Sequence, residues 1–439
     1  MLAARLIRGA SGRLLPPSVP LRFLAMAVLS HVAFWAVLFA TGAQLAGFRG
    51  GFAPLLAAVH LLTIGVLLCT VIGAAVQILP VVTRQPLAAV WPIRFAFWLL
   101  LPGLVLLVIG FHAVRPGLAS VGGGMASAGI CLFAAVLAHN LRRAKDPPIV
   151  VAYGWAALAT LLITVLLGVA LTIEVRWGGV ADRGALALAH LILGGFGGVG
   201  LFALGFSHVL VPMFTLAAVP DRRLAWVGFA TAILALALGA AGALGRSPAL
   251  LSAAIGFGLV TSGIHLRLMH QALRVGMLRR LGLSFMLVRT AWVLLPATLV
   301  TALASLIFEN PAVGPQQFGI LLFAGWLLTF LLGILQRILP MLVSMHAGPG
   351  SGSGSVFAVV GVRRASLRLH AACHALALGS VIAGTAANLA PLVQAGSAIG
   401  LVGALAYAVF SFDVVRRLRV EVSPVFRCTA PHRRAGSPR

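Results

Sequence analysis

The sequence predicts an all-α integral membrane protein with about 12 transmembrane helices. Three observations carry that class. Of the 439 residues, 61% are hydrophobic and 9% charged, and the mean hydropathy is +1.08, whereas a soluble domain is about half apolar and a quarter charged. Apolar stretches long enough to cross a bilayer recur along the whole chain, and arginines gather on alternate connections between them. No soluble core could hide so much apolar surface, so lipid must cover it.

Taken in order, the candidate spans run roughly 21–42, 54–83, 93–113, 117–140, 150–173 and 184–216 in the first half. The second half gives 223–244, 247–272, 283–308, 316–345, 367–388 and 391–415. Each supplies the ~20 apolar residues that a hydrocarbon core demands. With the N-terminus inside, only Arg49, Arg115, Arg176, Arg183 and Arg246 fall on outer connections, and 27 of the 32 basic residues (32 − 5) fall on inner ones or inner helix ends. That asymmetry predicts cytoplasmic termini in a bacterial-type plasma membrane. Arg5, Arg8 and Arg13 precede the first apolar run with no small-residue cleavage site after it, so the first span reads as uncleaved. The expected organisation is a cytoplasmic segment 1–20, one membrane domain 21–417 and a basic tail 418–439, with a flexible linker at Gly348–Ser355.

The composition excludes several classes. The net charge of +25 sits at helix ends, so it implies the lipid bilayer as partner and no nucleic acid. Cys69, Cys131, Cys373 and Cys428 fall singly, without the pairing of a zinc site or disulfide frame. Glu174, Asp182, Glu309, Asp146, Asp221, Asp413 and Glu421 all fall at membrane edges. A chain without intramembrane acids lacks the usual relays of proton pumps and cation-coupled carriers. No phosphate loop, nucleophile elbow or zinc-protease motif occurs.

The most informative pattern is a repeat. Gly65, Gly73 and Pro80 in the second span, Gly197, Gly205 and Pro212 in the sixth, and Gly325, Gly333 and Pro340 in the tenth share one spacing, G-x7-G-x6-P. Polar groups stand just before each proline: Gln77, His208, and Gln336 with Arg337. Glycines also help any membrane helices to pack, but the matched columns recur every four spans. They predict repeats of roughly 21–145, 146–280 and 281–417, arranged as three four-helix arcs with pseudo-threefold symmetry and with spans 2, 6 and 10 facing inward.

His60-Leu-Leu-Thr-Ile-Gly65 followed by Gly73 and Gln77-Ile-Leu-Pro80, and His190 followed by Gly197, Gly205 and His208-Val-Leu-Val-Pro212, carry a resemblance. With twelve spans in three arcs, the chain resembles subunit I of the haem-copper oxidase superfamily, closest to cbb-type oxidases and nitric oxide reductases. It is partly similar to the NnrS-type haem-and-copper membrane proteins, although their tryptophan-rich segments are not evident. The likeness covers the whole chain as topology and spans 2, 6 and 10 as sequence. The departures are definite: Phe318 and Ile320 stand where helix 10 of the oxidases has His-x-His, span 7 has no histidine, and neither His190 nor His208 has a tyrosine four residues on. A binuclear oxygen-reducing centre cannot be copied onto this chain.

The resemblance implies haem b, with copper as a further cofactor, and cytochrome c or other respiratory subunits as partners. It points to His60 and His190, six or so residues into their spans near the outer face, as haem ligands. The alternative for each is a core histidine bonded to a backbone carbonyl. The glycines of each repeat span are expected to leave room for a flat macrocycle. Toward the inner face, His208, His370 and His374 are candidate metal ligands, the last two on one helix face at i, i+4. His265, His270 and His346 read as membrane-edge residues, and His31, His112 and His139 as isolated structural ones. The reading is thus a haem membrane protein of electron transfer or nitric oxide and diatomic gas binding, in an oxidoreductase-like setting. Its rival is a non-haem transporter, with broken helices near Gly194–Gly200, or an assembly subunit of a respiratory complex.

Overall fold

The computed structural model describes residues 13–48, 50–144, 146–179, 182–278, 281–308, 310–346 and 364–422. The linker Gly348–Ser355, most of the N-terminal segment, the tail beyond 422 and the side chain of His346 lie outside the described residues. Twelve helices are long and apolar enough to cross a membrane. We label them α1 (Ser18–Gln44), α2 (Leu55–Val82), α3 (Trp91–His112), α4 (Pro116–Arg143), α5 (Pro148–Trp177) and α6 (Arg183–Thr215). The remainder are α7 (Arg222–Leu244), α8 (Pro248–Val275), α9 (Gly282–Ile307), α10 (Pro315–Leu342), α11 (Ala365–Ala386) and α12 (Ala390–Arg416).

The helix ends follow from local sequence. Pro116, Pro148, Pro248 and Pro315 open α4, α5, α8 and α10, where a missing N–H costs nothing because the first turn has no carbonyl to pair it with. Asp182, Asp221 and Ser247 cap α6, α7 and α8 through side-chain oxygens that accept from Ala185, Leu224 and Leu250 N–H. Gly178, at φ 73°, ends α5 in a conformation that other side chains rarely adopt.

Burial sorts the helices. Within α2, α6 and α10, 72%, 56% and 83% of the most apolar window is buried, against 50% or less in each of the others. These three form the centre, as the repeat predicts. Each is interrupted at the same place by an eight-residue π-helical stretch: Leu61–Leu68, Leu193–Gly200 and Leu321–Leu328. All three stretches touch one another. The helix runs on through each, so the expected break near Gly194–Gly200 is instead a widened turn. Residues 193–200 include five glycines, and a Cβ at Gly195, Gly197 or Gly200 would lie within 3 Å of a neighbouring atom.

Around this centre α1 packs on α2, α5 on α6 and α9 on α10; α3–α4, α7–α8 and α11–α12 form tight hairpins; and α4 meets α5, α8 meets α9, and α12 meets α1.

The repeat glycines serve helix packing. A Cβ at Gly65 would lie 2.6 Å from Ser30 Cβ on α1, one at Gly197 would lie 2.7 Å from Thr160 Cβ on α5, and one at Gly333 would lie 2.7 Å from the Ser284 carbonyl on α9. The space expected for a macrocycle at Gly65, Gly197 and Gly333 is therefore filled by α1, α5 and α9.

Candidate functional site

A cavity of about 550 Å³ opens among α2, α4, α5, α6 and α10, and both His60 and His190 line it. Its wall is mostly apolar, and among the described residues Arg183 is the one arginine or lysine in it. The volume falls within the ~300–1,000 Å³ usual for ligand pockets.

The two histidines are held alike by different means. His60, the last residue before the π stretch of α2, donates from Nδ1 to the Leu56 carbonyl one turn back, at 2.9 Å. Its ring stacks on Phe111 of α3, with centroids 4.7 Å apart and planes at 25°. His190 donates from Nδ1 across to the Thr164 carbonyl of α5, also at 2.9 Å. Gly168 makes room for it, because a Cβ there would sit 3.0 Å from His190 Cε1.

A carbonyl can only accept, so in both neutral rings the proton is on Nδ1 and Nε2 carries the lone pair. The carbonyl bond and a ligand role are thus compatible. A ring anchored through one nitrogen, with the other left basic, is the usual state of a metal-bound histidine.

The candidate metal ligands divide into two groups. His208 of α6 contacts Tyr153 of α5 and His265 of α8, at centroid distances of 5.7 and 6.3 Å, and His265 lies 6.1 Å from Trp292 of α9. His265 is buried rather than at the membrane edge, while His270 is exposed.

His370 and His374 of α11 instead meet His31 of α1 and Tyr407 of α12. The ring centroids of His31–His370, His370–His374 and His370–Tyr407 lie 6.0, 5.9 and 4.9 Å apart. His31, expected to be isolated, is thus a member of a buried cluster. Its signal in the sequence was Trp35, one turn further on the same face.

His208, His370 and His374 do not come together as one site. Among the described residues no group of three or more His, Cys, Asp or Glu side chains is arranged to hold a metal ion. His112 and His139 are exposed on the outside of the bundle.

No protein-family model matches the chain, and no curated protein matches it.

Proposed function

We propose that this chain is a b-type haem protein of the bacterial plasma membrane, with His60 and His190 as the residues that hold the haem iron. The observation that carries the reading is their convergence: two histidines 130 positions apart line one apolar cavity, each with Nδ1 anchored to a carbonyl and Nε2 basic. The cavity supplies a dry, low-dielectric setting, and Arg183 supplies a cation for a carboxylate-bearing ligand. A haem there would provide an iron centre that passes single electrons or binds nitric oxide or another diatomic gas. The protein's own part is to bind, to fix both imidazole tautomers and to exclude water.

The architecture we propose is three four-helix arcs related by pseudo-threefold symmetry about an axis along the membrane normal, with both termini cytoplasmic. The matched π stretches, the cyclic order of helix contacts and the G-x7-G-x6-P columns support it. Cytochrome c or other respiratory subunits are the partners that fit such a role. A transporter reading would want half-helices whose ends point at a substrate, and the unbroken course of α6 gives it no support.

The test is a pyridine haemochrome assay on detergent-purified protein beside His60→Ala, His190→Ala and, as an exposed control, His139→Ala. The wild type should carry haem, at least one cavity variant should lose or shift the Soret band, and the control should not. A colourless wild type made with ample haem supply would end this reading.

A further inference from the structure

The second histidine cluster carries a separate conclusion. His31, His370, His374 and Tyr407 are each at most 4% exposed, and each has one buried polar atom without a hydrogen-bond partner among the described residues: His31 Nδ1, His370 Nε2, His374 Nδ1 and Tyr407 Oη. Four such atoms on one cluster of neighbouring rings are unusual, because an unpartnered buried polar group costs roughly 1–3 kcal/mol.

Their neighbours fix what each atom can do. Trp35 Nε1–H donates to His31 Nε2 at 3.0 Å, so the His31 proton is on Nδ1, which is a donor without an acceptor. His370 donates from Nδ1 to the Gly403 carbonyl at 3.1 Å, so its Nε2 is an acceptor without a donor. Thr329 donates to the Ala324 carbonyl and sits 2.7 Å from His374 Nε2. With its hydroxyl proton on that carbonyl, Thr329 accepts from His374 Nε2–H and leaves His374 Nδ1 as a second acceptor; with the proton on His374 Nε2 instead, His374 Nδ1–H is a donor. The Tyr407 hydroxyl, which has the Ser411 side chain beside it, is the second donor.

We propose that α1, α10, α11 and α12 enclose a binding site for one water molecule, held by His31, His370, His374 and Tyr407. In the first of these arrangements the set is two donors and two acceptors, the complement of water, which accepts two hydrogen bonds and donates two. A metal ion suits the set less well. It could use the lone pairs of His370 and His374, but the N–H of His31 would face it. The bound water closes a hydrogen-bonded line running from Trp35 and Ala324, both in the wall of the outer cavity, to the Gly403 carbonyl on α12. It gives that cavity a polar lead toward the inner half of the bundle.

The site uses neither His60 nor His190, so its test is independent of haem content. An experimental density map of the full chain, fine enough to show ordered water, should have an isolated peak within about 2.7–3.2 Å of at least three of the four atoms. Elemental analysis of the same sample should find no metal whose content falls in His374→Ala. In Tyr407→Phe the peak should persist on three partners, and in His31→Leu/Tyr407→Phe, which removes both donors, it should vanish. A transition metal at one per chain, lost in His370→Ala or His374→Ala, would overturn the proposal in favour of a metal site. Rings bonded directly to one another with no peak between them would overturn it outright.

Discussion

Trp35 and His31 lie one turn apart on α1, and the indole Nε1–H of the first donates to Nε2 of the second within a fully buried environment. The bond fixes the imidazole tautomer. The indole itself is seated under Gly400 of α12, where any Cβ would collide with the ring. The bond lies within α1, and the packing of the indole against Gly400 ties that helix to α12.

Trp35→Phe keeps the aromatic bulk of that seat but leaves His31 Nε2 unpartnered, which should cost roughly 1–3 kcal/mol. His31→Leu should also destabilise. The double variant should lose less than the two single losses added together, because neighbours in one network couple by ~0.5–3 kcal/mol. Thermal unfolding in detergent of the four proteins measures this, and strict additivity would show that the bond stabilises nothing.

Asp182 caps α6 and pairs with Arg246 beyond the end of α7. The hydrogen bond from Arg246, aided by the Ala185 N–H, lowers the Asp182 carboxyl to about 2. The folded value is depressed, so any stabilisation is present in full above the unfolded range near ~3.9 and fades as pH falls through about 2. Asp182→Asn should therefore unfold slightly earlier than the wild type at neutral pH, and the gap should close between about pH 4 and 2. Added salt should narrow it at neutral pH as well, because the pair is exposed.

Much of the fold was legible in the sequence, and the reason is physical. Span length and the placement of arginines are imposed by the bilayer, not by tertiary contacts, so twelve helices could be read directly. The inward position of α2, α6 and α10 was legible because their glycines and prolines recur in matched columns.

The π stretches were not legible. Widening a turn depends on how neighbouring helices press on the backbone, and no residue type encodes it. The glycines were misread for a related reason: Gly65 and Gly197 could admit either a ligand or another helix, and only the path of α1 and α5 decides. The repeat columns put His60 and His190 on matched spans, and that both line one cavity is seen only in the structure. The cluster of His31, His370, His374 and Tyr407 did not, because it gathers residues from opposite ends of the chain.

The glycine columns are not equally tight, and this separates three substitutions that look alike in sequence. Gly65→Ala and Gly197→Ala would force Cβ atoms to within 2.5–2.7 Å of Ser30 and Thr160, whereas at Gly325 the nearest atom outside the local helix backbone is 3.5 Å away. Overpacking costs about 1–3 kcal/mol, so the first two variants should lower the unfolding temperature in detergent. Gly325→Ala should match the wild type or exceed it, since Ala favours helix by up to ~1 kcal/mol over Gly. Equal effects at all three would mean that α1 and α5 do not press on α2 and α6 as described.

The last prediction concerns the hold on His190. Its ring is fixed on one side by the bond from Nδ1 to the Thr164 carbonyl, and Gly168, four residues further along α5, is where the ring finds space. A methyl group at Gly168 would sit 3.0 Å from Cε1 and 3.5 Å from Nδ1, so the ring must tilt or the bond must lengthen. The backbone there is helical, so Gly168→Ala should leave the fold intact and act on the imidazole alone. Gly123 on α4 lines the same cavity, but a Cβ there would meet nothing nearer than Thr172 at 3.7 Å, which makes Gly123→Ala the matched control. If His190 holds the iron, Gly168→Ala should shift the Soret band or reduce haem content at unchanged thermal stability, and Gly123→Ala should do neither. Should both proteins keep the wild-type spectrum while His60→Ala abolishes it, His60 alone would be the ligand and His190 a structural member of the wall.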